Sequence, residues 1–98
     1  MESVYAGCLC QELSQAGISF RRQVVIPVIY KGTPIPLGFR ADILVDEAVI
    51  LEVRAVSTLI PAYEAQILTY LRMSQIRVGL LLNFHAPRLV DGLRRFVV

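Results

Sequence analysis

Residues 39–54, Phe39-Arg-Ala-Asp42-Ile-Leu-Val-Asp-Glu47-Ala-Val-Ile-Leu-Glu52-Val-Arg54, decide how this chain is read. Ile35 to Val45 and Val49 to Arg54 are rich in β-branched and apolar residues, and both read as strands. Asp46-Glu47 turns the chain between them. Asp42, Glu52 and Arg54 interrupt otherwise apolar strands, and a charge in such a setting needs a partner, a metal or a pocket. Asp42 and Glu52 are ten positions apart, so a hairpin centred on Glu47 sets them opposite each other on one face. That register needs an odd-length loop such as Asp46-Glu47-Ala48, because a one-residue slip sends them to opposite faces. Opposed Cβ atoms stand roughly 4.5–5.5 Å apart, a spacing at which two carboxylates can share one hard divalent cation. Without a metal, the same residues read as an ion-pair set that leans on Arg40 and Arg54.

Outward from this hairpin, short turn signals divide the whole chain. Residues 2–16 are predicted helical, with Tyr5, Cys8, Leu9, Glu12, Leu13 and Ala16 at helical spacing and Gly17 closing the helix. Phe20 to Ile26 reads as a strand, and Pro27 marks it as an edge strand or a bulge. Lys31-Gly32 is a hairpin turn into the Ile35–Val45 strand, which Pro34, Pro36 and Gly38 should interrupt. Pro61 suits the first turn of a second helix reaching Ser74, with Tyr63, Gln66, Ile67, Tyr70 and Leu71 at helical intervals. Arg77 to Phe84 is a nearly continuous apolar strand of the kind covered on both faces. Asp91-Gly92 turns into a short strand over 93–98. The predicted order is α-β-β-β-α-β plus an extra strand: an antiparallel meander, then a helical crossover into a central strand.

Composition bounds the rest. The 98 residues make one domain, 1–98, and a 55% hydrophobic fraction against 18% charged excludes disorder. The longest apolar runs fall well short of the ~18 residues of a membrane span, so no membrane role is expected. Met1-Glu2 has no basic flank, so no secretion signal is expected either. A surface left this apolar would suit a homodimer. The net charge is only +2, but nine of the ten basic residues are Arg, whose fork binds phosphate bidentately. Cys8 and Cys10 stand too close for an ordinary disulfide, read as small core residues, and as free thiols fit a cytoplasmic setting. His85, the one histidine, reads as a surface loop residue.

Asp42, the intervening hairpin and Glu52-Val-Arg54 resemble the D-x(n)-(D/E)-x-K core of the PD-(D/E)xK nuclease superfamily. Gln66-Ile-Leu-Thr-Tyr70 resembles the Q-x-x-x-Y motif of its RecB and lambda-exonuclease branch. The small bacterial GxxExxY proteins are more similar still. That resemblance runs through Glu2-Ser-Val-Tyr5, Tyr30-Lys-Gly32, Phe39-Arg-Ala-Asp42, Glu52-Val-Arg54, Glu64-Ala-Gln66, Tyr70-Leu71, Gly79–Phe84 and Asp91-Gly92. It implies a restriction-endonuclease-like α/β fold with a mixed central sheet flanked by helices. It implies also a metal-dependent nuclease acting on nucleic acid, DNA more often than RNA. Under it Asp42 and Glu52 hold Mg²⁺ or Mn²⁺, residue 54 orients the attacking water, Gln66 lies beside the site, and Glu2 completes the metal shell.

Two positions depart from the family pattern. Arg54 stands where the family has lysine; arginine stays protonated and cannot serve as a base, though it can clamp phosphate. The leading glycine and the helical stretch before it are missing, so Glu2 falls at a helix N-terminus. A catalytically inactive module that binds nucleic acid or a protein partner is therefore the alternative expectation. Tyr63 and Tyr70 read first as helix-to-sheet contacts, with Tyr70 also a candidate for nucleic-acid binding. Arg21-Arg22 and Arg94-Arg95 read first as solvated faces; Arg21, Arg22 and Arg40 are the candidates for phosphate contact.

Overall fold

The computed structural model describes residues 1–35 and 39–98 in full. Helix α1 (Glu2–Gln15), strands β1 (Phe20–Tyr30), β2 (Thr33–Val45) and β3 (Val49–Arg54) come first. Helix α2 (Pro61–Ser74), strand β4 (Val78–Asn83), a 3-10 turn (Leu89–Gly92) and strand β5 (Leu93–Val97) complete the chain. The five strands form one sheet in the order β1-β2-β3-β4-β5. All neighbours are antiparallel except β3 and β4, which run parallel and are joined through α2. This is the restriction-endonuclease-like order expected from the sequence, with β5 as the additional strand.

Local chemistry explains the element ends. Gly17, at φ 72°, takes the left-handed conformation that stops α1, and the Ile18 N–H closes onto Leu13 O at 2.9 Å. Lys31 and Gly32 both have positive φ, 49° and 76°, the pair a two-residue hairpin needs. Pro61 occupies the first turn of α2, where a missing N–H goes unnoticed.

Proline shapes the long β1–β2 hairpin less than the sequence suggested. β1 runs past Pro27 to Tyr30, because the register shifts between Ile26 and Val28 and absorbs the proline on an edge strand. β2 already begins at Thr33, so Pro34 does not interrupt it. Tyr30 and Thr33 close the two-residue turn as a hydrogen-bonded pair, so position 34 directs its nitrogen away from β1. On that side, among the described residues, β3 pairs with Ile43 to Val45, and Pro34 has no ladder bond there to lose. The interruptions expected at Pro36 and Gly38 lie outside the described residues.

Helices cover both faces of the sheet. Against α1, Ala6 and Cys10 pack with Ile43, Leu51, Val53 and Leu82. On the opposite face Leu71 of α2 meets Val24, Ile26, Ala41, Leu44 and Ile50. Full burial of aliphatic side chains such as Ile43, Ile50, Ile67 and Leu71 stabilises the domain by about 1.5–3 kcal/mol each. Gly79 brings α2 down onto β4, since a Cβ there would stand 2.9 Å from Ile67 Cδ1. One expectation about the core fails: Cys10 is buried but Cys8 is exposed. Two residues of helix turn the chain by about 200°, so both cysteines cannot face the sheet.

Candidate active site

The β2–β3 hairpin has the register that the Asp42–Glu52 spacing requires. Ile43 pairs with Leu51, Leu44 with Ile50 and Val45 with Val49, around the three-residue loop Asp46-Glu47-Ala48. Asp46 and Glu47 take left-handed φ values of 53° and 54°, and Ala48 N–H returns to Val45 O at 2.9 Å. The described ladder stops at Ile43, one step before Asp42.

At Asp42 the alternation of the strand slips. Ile43 packs on the α1 side, whereas Ala41, two residues back, packs on the α2 side. Gln23 lies across from Asp42, between the Arg22–Ile43 and Val24–Ala41 pairs, and has φ 52°. Such an irregularity re-aims a side chain at the point where pairing ends. Asp42 Oδ2 accordingly accepts the backbone N–H of Val53 at 2.8 Å, satisfying a β3 donor in place of the ladder.

Glu52 and Arg54 follow the period of β3 onto the α2 side, the side of Ile50. The Arg54 guanidinium gathers the set. Its Nη1 donates to Val53 O at 2.9 Å and stands 3.6 Å from both Asp42 Oδ2 and Glu52 Oε2. Its Nη2 reaches Gln66 Oε1 at 3.5 Å, and its Cζ lies 5.1 Å from the centre of the Tyr63 ring. Gln66 in turn donates from Nε2 to Tyr70 Oη, and the Tyr70 ring stacks on Phe39 with centroids 3.6 Å apart. Tyr63, Gln66 and Tyr70 recur at helical spacing, so one face of α2 serves the guanidinium and the sheet together.

Glu52 is the buried member, 5% exposed, and its Oε1 has no hydrogen-bond partner among the described residues. Burial first, and then the neighbouring Asp42 charge, push its pKa up to about 8; Arg54 opposes the shift. At neutral pH Glu52 thus keeps its proton as long as no cation is bound.

Of the other residues assigned from sequence, Glu2 lies beside Asp42 and the arginines make contacts elsewhere or are exposed. Glu2 lines a cavity of about 200 Å³ with Ser3, Ala6, Gln23, Asp42 and Val53, but its Oε2 accepts the Ala55 N–H at 3.1 Å. Arg40 and Arg22 are exposed on the β1–β2 hairpin. Arg21 is forked onto Glu47 at 2.8 and 2.7 Å, toward the turn. Arg94 pairs with Glu64 at 3.2 Å. Asn83 was not singled out, yet it is buried and holds Val56 by both backbone groups, at 3.0 and 2.9 Å. For Tyr63 the sequence favours helix-to-sheet contact over base stacking, and its place one turn before Gln66 is the signal for its contact with Arg54. The Val53 amide and carbonyl carry no signal in a sequence.

Among the described residues no group of three or more Cys, His, Asp and Glu side chains converges to hold a metal. Two carboxylates do converge, one with a buried, unpartnered oxygen, beside the Val53 carbonyl. An all-oxygen set of this kind fits a hard divalent cation.

The family model of the PD-(D/E)XK nuclease superfamily matches residues 1–96. No curated protein and no solved structure matches the chain.

Proposed function

We propose a metal-dependent phosphodiesterase activity for this chain, which belongs to the PD-(D/E)XK nuclease superfamily. Superfamily membership suggests a nuclease and a divalent cation. Our finer reading is hydrolysis of nucleic acid, DNA in preference to RNA, with Mg²⁺ or Mn²⁺ held by Asp42 and Glu52. The observation that carries it is the convergence of these two carboxylates at the end of the β2–β3 ladder, with Glu52 Oε1 buried and unpartnered. A bound cation would supply a nucleophilic water and offset charge on the phosphoryl oxygens. Gln66, held between Arg54 and Tyr70, is positioned to orient the group beside it. Arg54 would clamp a phosphate oxygen, and Arg40, Arg22, Arg21 and Tyr70 would extend contact along the backbone.

The same resemblance supports placement among the bacterial GxxExxY proteins, near the RecB and lambda-exonuclease branch, with a cytoplasmic location and a homodimer as further elements of the reading. One observation favours a second reading, a catalytically inactive module binding nucleic acid or a protein. Arg54 already stands between the carboxylates as their counter-ion.

Incubation of plasmid and single-stranded DNA with Mn²⁺ separates the two, with wild type beside Asp42→Ala. Cleavage by wild type that is lost in Asp42→Ala supports the nuclease. Absence of metal-dependent cleavage on either substrate moves the assignment to the binding module.

A further inference from the structure

A divalent cation between Asp42 and Glu52 would draw on the oxygens that Arg54 now engages. Nη1 lies 2.9 Å from Val53 O and 3.6 Å from one oxygen of each carboxylate. Those are three oxygens from two neighbouring strands: a β2 side chain, a β3 side chain and a β3 carbonyl. A guanidinium N–H group and a metal ion compete for such a set, because each draws on the same oxygen lone pairs.

The rest of the side chain is also held. The guanidinium lies against Tyr63 and reaches Gln66, and the side chain is only 17% exposed. These two contacts come from α2 and do not involve Val53 O, so they remain to a guanidinium that gives it up. Cation–π contact and the Gln66 carbonyl would still satisfy it there.

We propose that Arg54 is a built-in competitor for the metal, occupying the cation position in the resting protein and withdrawing along Tyr63 and Gln66 when a divalent ion binds. The proposal rests on the metal-site reading above and deepens it. Loading of the site is coupled to a side-chain displacement. The displaced guanidinium is then free of the carboxylates and available to a phosphate oxygen, so nucleic acid and metal favour the same withdrawn position.

The test is Mn²⁺ binding without nucleic acid, measured by calorimetry and by the melting shift between EDTA and excess Mn²⁺. Wild type, Arg54→Ala and Arg54→Gln are compared, with Asp42→Asn as the control for the site. The glutamine variant retains a side chain of useful length, so a folding failure in Arg54→Ala leaves the comparison intact. The expected result is Mn²⁺ affinity about tenfold or more higher in the Arg54 variants, the order set by removing a unit charge from a partly screened site. A larger Mn²⁺-induced melting shift than in wild type should accompany it. Equal affinities in wild type and the Arg54 variants, with binding lost in Asp42→Asn, overturn the competition while leaving the metal site in place. Weaker binding in the Arg54 variants overturns it as well, making Arg54 a support of the metal. No Mn²⁺ binding by any form overturns the metal site itself.

Discussion

Asp42 accepts the backbone N–H of Val53 at 2.8 Å, at the point where the β2–β3 ladder ends. The side chain thus does for β3 what the next ladder bond would have done. It also fixes the carboxylate beside Glu52, which β3 carries one residue earlier. The slip in alternation at Asp42, mirrored by the positive φ of Gln23, lets one carboxylate serve both purposes.

Asp42→Ala should therefore cost stability as well as function. It leaves a part-buried N–H without a partner, an effect of about 1–3 kcal/mol. Asp42→Asn keeps an acceptor oxygen and should lose less. Urea denaturation of both variants in EDTA checks this; equal losses would mean that the Val53 bond contributes nothing.

Glu52 sets a pH dependence in the metal-free protein. Its pKa lies near 8 in the fold against an ordinary value of 4.5, so the native state binds the extra proton between those limits. Stability from this group is full below pH 4.5, declines as pH rises, and is lost once pH passes about 8. Denaturation in EDTA from pH 5 to pH 9 should show that decline, and Glu52→Gln should flatten it. An unchanged slope in Glu52→Gln would assign the dependence elsewhere.

Gly92 is a steric requirement of the β4–β5 connection. A Cβ there would meet Asn83 O at 2.1 Å, a backbone atom that cannot swing aside. Gly92→Ala should destabilise by about 1–3 kcal/mol, in the range for forced overfilling of a close contact. Gly7 is the control, since a Cβ on it meets nothing within 4 Å. Gly7→Ala in the α1 interior should be neutral or stabilising by about 0.5–1 kcal/mol. Denaturation midpoints that fall equally in both variants would contradict the steric account.

The order of elements was readable because period and turn chemistry agree along most of the chain. The Asp42–Glu52 spacing even set the loop length, since alternation leaves only odd loops compatible with a shared site. Pro27 did mark an edge strand with an irregularity, whereas Pro34 misled, because its effect depends on which strand edge lacks a partner, and that is a property of the sheet. Cys8 misled because helical spacing admits neighbouring stripes, and only contact with the sheet chooses between them. The site itself was legible where side chains form it: Asp42, Glu52, Arg54 and Gln66 all meet. The Val53 amide and carbonyl were not, being backbone groups that every residue has. The ion-pair expectation holds for Arg54, which stands 3.6 Å from both carboxyl groups, while Arg40 is exposed on the hairpin; the sequence could not show the further contacts of Arg54 with Tyr63 and Gln66 of α2.

The central claim is that Asp42 and Glu52 form a hydrolytic metal site that Arg54 holds in check. Its most direct test is the Mn²⁺-dependent rate of DNA cleavage by wild type and Arg54→Lys, side by side. Lysine is a compact donor that can lose its proton beside a metal, and it cannot make the guanidinium's simultaneous contacts with Val53 O and Gln66. Assistance of this acid–base kind is typically worth about 10²–10⁴-fold, so the account predicts a clear rise in rate with the fold intact. A fall in rate for a well-folded Arg54→Lys protein, or no cleavage by either form, would contradict it.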